Sequence, residues 1–285
     1  MSIDARNLRK LISLRGAIPI AFILLLTLPI PLRAQQNDDF DNYKVRIDAF
    51  WFYSNPSGNI QGSVSGDSAS VDLQKDLGFN TYSTFAGKFD WKFTRKNHFY
   101  VAASPFDTSR QTTLSRTFTF QGQTFEADLV TQSDLHAVLI APGYQYDIIR
   151  RKRGHFGIAV QVDLFDTSAM ISAAAHVVNG TQQGAVSASA SLLAPIPVAG
   201  PEFRLYLLNS SRLFVEGNVY GMYLGGYGNF VSTSDTIGVT LTKNLSLNAG
   251  YQLGSRLVVD NNDSSKRIGV RLTQKGAIAG LEYSF

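Results

Sequence analysis

The sequence predicts an all-β chain, folded as a transmembrane antiparallel up-and-down barrel of about ten strands, with eight or twelve as the alternatives. Three observations predict it. Apolar and polar residues alternate with period 2 over long runs, the pattern of strands with one dry and one wet face. Short basic or polar connections alternate with long ones rich in Ser, Gly, Gln, Asp and Asn, and aromatic residues gather near the ends of the runs. A soluble sandwich would also give one-sided strands, but its strands cluster near about 5 or 6 residues, whereas spanning strands need about 9 to 11.

Residues 1–34 stand apart from this pattern. Arg6, Arg9, Lys10 and Arg15 precede the apolar run Ala17–Leu32, which Arg33-Ala34 and Gln35-Gln36 follow. That is the layout of a secretory signal peptide, expected to be cleaved after Ala34. The run is too short for a spanning helix and holds Pro19, Pro29 and Pro31. Residues 35–42 then read as a short periplasmic segment and 43–285 as the barrel. Residues 1–34 hold five of the 26 basic residues and one of the 22 acidic ones, so the remainder carries 21 of each. The high isoelectric point therefore belongs to the leader and is no nucleic-acid footprint. The chain has no cysteine, which leaves no disulfide framework and no thiolate metal site.

The strands follow in order. The first, 43–54, sets Val45, Ile47, Ala49, Trp51 and Tyr53 against Lys44, Arg46 and Asp48. In the second, 79–93, Phe85, Gly87, Phe89, Trp91 and Phe93 oppose Lys88, Asp90 and Lys92. After the basic turn 94–97 come the third strand, 98–109, and the fourth, 134–149, which carries Tyr144 and Tyr146 near its end. Beyond the turn 150–154, the fifth strand, 155–171, opposes Phe156, Ile158, Val160, Val162 and Leu164 to Gln161 and Asp163. The sixth, 190–208, opposes Phe203, Leu205 and Leu207 to Glu202 and Arg204. Its Pro195, Pro197 and Pro201 remove three ladder donors, which predicts a strand end or bulge toward the extracellular mouth.

The seventh and eighth strands, 213–225 and 235–242, flank a long connection at 225–235. Gly221, Gly225, Gly226 and Gly228 there read as close packing, curvature or a hinge rather than a ligand site. Lys243-Asn244 leads into the ninth strand, 245–259, where Leu245, Leu247, Ala249, Tyr251 and Leu253 oppose Ser246, Asn248 and Gln252. The tenth is 267–285. The remaining long connections are 55–76, 109–133, 173–188 and 260–266. Stretches 70–79 and 117–128 within two of them look extended, and would lengthen strands above the membrane or raise the count to twelve. Asn179-Gly180-Thr181 reads as a loop turn.

The inward charges nearly balance. Lys44, Arg46, Lys88, Lys92, Arg204 and Arg271 face Asp48, Asp90, Asp147, Asp163, Glu202, Glu216 and Glu282. Desolvated charge inside a narrow barrel must be paired, so a salt-bridged plug is expected rather than an open pore. Closure of the barrel should bring Glu282 within about 8 Å of Arg46 or Lys44.

Three resemblances add to this reading. The last nine residues, AIAGLEYSF, form an amphipathic strand ending in Tyr283-Ser284-Phe285. It resembles the C-terminal signal of Gram-negative outer-membrane barrels, which implies recognition by the barrel assembly machinery, location in the outer membrane and contact with its lipids, including lipopolysaccharide. Val71-Asp72-Leu73-Gln74-Lys75-Asp76-Leu77-Gly78-Phe79 resembles an acidic stretch found after the first strand in a group of outer-membrane barrels, and implies architecture and location only. Asp134-Leu135-His136 places an acid and an imidazole on one strand face, a pair able to activate water. It is similar to the Asp-x-His half of the omptin proteases, which need a second acidic pair across the barrel mouth. The only Asp-x-Asp, Asp39-Phe40-Asp41, precedes the first strand. His98 and His155 follow short turns and are expected to be solvated, and His176 falls in a long connection.

No cofactor, metal site or nucleic-acid partner is indicated. The expected function is a non-enzymatic outer-membrane barrel with a structural or surface-interaction role. The alternatives are a narrow porin-like channel and an outer-membrane lipid hydrolase.

Overall fold

A computed structural model describes residues 40–285, apart from 65–66, 121, 175, 179–180, 208–211, 225–227 and 261–265. The leader expected at 1–34, its cleavage point, Asn179-Gly180 and Gly225-Gly226 lie outside the described residues.

Alternation produces long strands here because the two faces meet different surroundings. In chain order they are β1 (Val45–Val64), β2 (Asp67–Asp72), β3 (Tyr82–Lys92), β4 (Asn97–Thr113), β5 (Phe118–Phe120), β6 (Gln123–Phe125), β7 (Val130–Arg151), β8 (Gly154–Ala173), β9 (His176–Val178), β10 (Thr181–Gln183), β11 (Val186–Tyr206), β12 (Leu213–Leu224), β13 (Gly228–Thr240), β14 (Leu245–Asp260) and β15 (Lys266–Ser284). Ten of them, β1, β3, β4, β7, β8 and β11 to β15, form one antiparallel wall. It closes where β1 pairs with β15, from Arg46↔Ser284 to Val64↔Lys266. Closure leaves the wall without an edge strand.

Short turns join the strands at one end, where the entry to β1 also meets the C-terminal Phe285. The N–H groups of Lys44 and Val45 donate to the Phe285 carbonyl, and Phe285 N–H donates back to Val45. At the β7–β8 turn, Gly154 has φ +132°, and a Cβ there would sit 1.9 Å from the Arg204 carbonyl oxygen. At the other end, the strands run on into long connections. β1, β7, β8 and β11 are 20 to 22 residues long, about twice what a tilted crossing needs.

The outward face is apolar and aromatic. Trp51 and Tyr53 stack with ring centroids 5.9 Å apart, as do Trp91 and Phe93 at 5.6 Å in a tilted pair, and Tyr283 and Phe285 do the same. Exposed Phe85, Phe89, Ile158, Val160, Ile237 and Leu281 lie between. Such a band belongs against lipid.

The sequence boundaries need correction, first at β1, which runs on to Val64 through much of what was expected to be the connection 55–76. The connection expected at 225–235 is mostly strand, because β13 begins at Gly228 and pairs with β12 from Leu224↔Gly228 onward. Ser232, Ser234 and Thr236, which line the lumen, have the composition of a loop. The three prolines of β11 sit neither at its end nor in a bulge; all lie within its unbroken ladder with β8. The extended stretches at 70–79 and 117–128 add no wall strand. β2 pairs with the loop end of β1, and β5 and β6 form a separate hairpin.

Candidate functional site

The lumen is organised in layers. At the turn end, Asp41 and Tyr43 tuck inside. Asp41 is the hub: its carboxylate meets Lys92 Nζ at 3.2 Å, Arg150 Nη1 at 3.1 Å and His155 Nδ1 at 2.8 Å. Burial opposes ionisation of Asp41, but Lys92 and His155 beside it outweigh burial and hold its pKa well below the usual aspartate value. Tyr43 donates to Asp90 Oδ2 at 3.1 Å, and Lys92 Nζ lies 3.7 Å from its ring centroid. His98 bridges two acids, with Nδ1 3.2 Å from Asp90 and Nε2 3.1 Å from Asp147. Both His98 and His155 are buried, which corrects the expectation that they are solvated at turns.

One layer up, the charges join opposite walls. Arg204 on β11 forms a fork with Glu282 on β15, both bonds 2.7 Å, and donates to Glu216 on β12 at 3.0 Å. Arg46 on β1 lies 3.5 Å from Asp48, Asp90 and Glu216, and 4.0 Å from Glu282. The expected approach of Glu282 to Arg46 is therefore present, although its main partner is Arg204. Lys88 on β3 reaches Glu202 on β11 at 3.4 Å. The wall strands between these partners place them across the lumen, so the bonds span it.

Of the thirteen sequence-derived lumen residues, two fall outside. Lys44 is exposed where the chain enters the first strand. Arg271 is exposed as well, on the face opposite Val270 and Leu272, which line the lumen. The other eleven are inside. Sequence reasoning missed Asp41, Tyr43, His98, Arg150 and His155.

Above the charges is a chamber of about 360 Å³, within the usual range of ligand cavities. Its floor is polar. Lys88, Tyr100, Gln161, Asp163, Glu216 and Asn248 line it, with Tyr100 donating to Gln161 at 2.7 Å and Gln161 to Asp163 at 2.5 Å. Gly143 makes room for the flat Tyr100 ring, since a Cβ there would sit 2.4 Å from it. Toward the loop end the lining turns apolar, with Phe50, Phe52, Phe106, Phe165, Leu192 and Phe230.

A roof covers the side of the chamber built by β1 to β8. Val71 of β2 and Leu73, Leu77 and Phe79 after it turn inward and cluster with Phe118 and Phe120 of β5, Phe125 of β6 and Leu129. Asp72 fixes that turn by accepting from the N–H groups of Gln74 and Lys75. Asp76 accepts from Arg116 at 2.6 Å, which ties the two connections together. In this chain the VDLQKDLGF stretch is thus a folded part of the roof, with its apolar residues inward and its acids capping.

The weak catalytic pair does not assemble. Asp134 and His136 point away from the lumen, since Leu135, Ala137 and Leu139 of the opposite face line the chamber. His136 meets Asp107 at 3.4 Å, and Asp134 bonds Ser109 on the neighbouring strand. Among the described residues, no group of three or more His, Cys, Asp or Glu is arranged to hold a metal ion. Only the backbone of His176 is described.

A closed ten-stranded antiparallel wall with an aromatic outer band and a charged lumen defines an outer-membrane type of β-barrel. Among solved structures, the likeness to one supports this fold. The outer membrane protease OmpT from Escherichia coli is similar with a TM-score of 0.52 at 11% identity, covering 87% of this chain and 100% of its own. The P. putida toluene transporter TodX scores 0.34 at 10% identity, over 86% and 91% of the chains. Ail, the attachment invasion locus protein of Yersinia pestis, scores 0.28 at 8% identity, over 82% and 99%. No protein-family model and no curated protein matches the sequence.

Proposed function

We propose that the protein is an integral outer-membrane barrel, non-enzymatic and closed to ions, with a structural or surface-interaction role. The observation that supports this best is the set of buried ion pairs that cross the lumen, Lys88 to Glu202 and Arg204 to Glu282. Hydrated ions would have to break them in passing, and parting a buried pair costs about 3 to 5 kcal/mol. On this reading the turn end faces the periplasm and the long connections face outward. Its partners are membrane lipids, including lipopolysaccharide, and the assembly machinery that reads Tyr283 and Phe285. Among the described residues, the outward Asp134 and His136 stand beside no second acidic pair across a mouth, which argues against omptin-like proteolysis.

Liposome swelling tests the closed lumen. Vesicles carrying the refolded protein should swell in a small sugar no faster than protein-free vesicles, and faster swelling would make it a channel. Lipid A and phospholipids of a deletion strain should be unchanged in mass. New or missing species would instead assign a lipid hydrolase.

A further inference from the structure

The wall has a weak seam, and the chamber lies behind it. β11 pairs with β8 without interruption from Val186 to Leu205, but among the described residues its ladder with β12 stops at Ala199↔Gly221. The cause lies in the sequence. Tyr206 N–H donates to Arg153 on the β8 side, and Leu207 N–H donates to Leu213 on the β12 side. Successive N–H groups of a strand point to opposite edges, so the odd-numbered positions of β11 serve β12. Pro195, Pro197 and Pro201 are all odd, and proline has no N–H to give. Between residues 195 and 201, only Ala199 keeps a donor toward β12. Inside a membrane an unsatisfied backbone group costs several kcal/mol. Pro195 and Pro197 thus leave this seam unpaired beyond Gly221, over Met222–Leu224 at the loop end of β12.

Behind the seam, Ala194, Ile196 and Val198 pack against Phe165, Leu192, Tyr220 and Phe230, four of which line the chamber. The apolar lining of the chamber thus continues to the inner face of the seam. The chamber itself exists because its wall is built of small residues, among them Ala86, Ala102, Ala137, Ala141 and Ala169.

The floor states what kind of head group it would accept. Lys88 is engaged with Glu202, and the Tyr100 hydroxyl is donated to Gln161. The carboxylates of Asp163 and Glu216, the latter also held by Arg204, bring negative charge to this floor, and Asn248 Oδ1 is buried there without a hydrogen-bond partner. A carboxylate or phosphate head would meet these like-charged or accepting groups and be repelled. A hydroxyl head would satisfy them.

We propose that the chamber binds an uncharged single-chain amphiphile with hydroxyl donors, such as a monoacylglycerol, and that the chain passes laterally from the membrane through the β11–β12 seam. This rests on the membrane placement proposed above. The swelling measurement reads lumen closure independently, so the two readings fail separately.

Photo-crosslinking tests the proposal. The full chain is reconstituted in phospholipid vesicles with a monoacylglycerol bearing a diazirine near the end of its acyl chain, then irradiated and mapped by mass spectrometry. Adducts are expected on Phe165, Leu192 and Phe230, suppressed by unlabelled monoacylglycerol but not by the matching free fatty acid. Adducts confined to outward residues such as Phe85 and Ile237, or equal suppression by the fatty acid, would overturn the site. Ala102→Trp, which fills the chamber, should cut lumenal adducts by about tenfold. Pro195→Val with Pro197→Val restores two donors to the seam. It should slow lumenal capture by about tenfold while the new amides at 195 and 197 become protected from hydrogen exchange. Capture at the wild-type rate with those amides protected would overturn the lateral route.

Discussion

Arg204 concentrates the physics of the lumen in one residue. Its guanidinium is buried, forks onto Glu282, reaches Glu216 and lies 3.8 Å from the Phe214 ring centroid. Removing it strands two carboxylates in a dry interior. Arg204→Met should therefore destabilise the barrel by about 3 to 5 kcal/mol, read as a lowered urea midpoint in detergent micelles. An unchanged midpoint would mean the network contributes little cohesion. Arg204→Lys should rescue only partly, because an ammonium cannot reproduce the planar fork. At this scale, parity in the sequence located most of the lumen charges. It fails at Lys44 and Arg271, which are exposed. Beyond the lipid band the outer face is also wet, so a charge there no longer marks the inward side.

The element most consequential beyond the wall is the segment ending at Lys44. Asp41 ionises more readily in the folded protein than in an unfolded chain, where an aspartate titrates near about 3.9. A depressed folded-state pKa gives stability that is present above the unfolded value and is lost as the pH falls toward the folded one. Thermal stability should therefore fall on acidification below about pH 5, and Asp41→Asn should be less stable at pH 7 and flatter in acid. Equal slopes for the two proteins would remove Asp41 as the cause. The roof makes a second element-scale prediction. Phe125→Ala removes a fully buried ring from the apolar cluster, a change that typically costs about 3 to 5 kcal/mol. The Leu114 and Asp128 amides, which bond across the base of the β5–β6 connection, should then exchange faster. Unaltered exchange would show that the roof does not rest on that ring. The sequence showed these stretches as extended, since Val71, Leu73, Phe118 and Phe120 keep strand alternation. It could not show that they fold inward, because that depends on contacts between two connections far apart in the chain. β13 was hidden for the opposite reason: its lumenal serines resemble a loop.

At the scale of the molecule, the strand number and closure were legible in the alternation of short and long connections. Each short turn forces the next strand antiparallel, and an even count returns the chain to its starting end. The terminal strand could be placed as well, since β15 closes on β1 with Glu282 inward as its alternation requires. The chamber was not legible, because its wall is a scatter of alanines and serines on many strands, each unremarkable alone. The barrel is crossed by ion pairs at one level and widens into a chamber at the next.

Ion conduction across planar bilayers tests that claim most directly. The refolded wild-type protein should show no discrete current steps at neutral pH, and Arg204→Met should begin to show them as the crossing network is cut. Stable unitary steps from the wild type would contradict the account, because ions would then pass where Lys88, Arg204 and Arg46 are described as bridging the lumen.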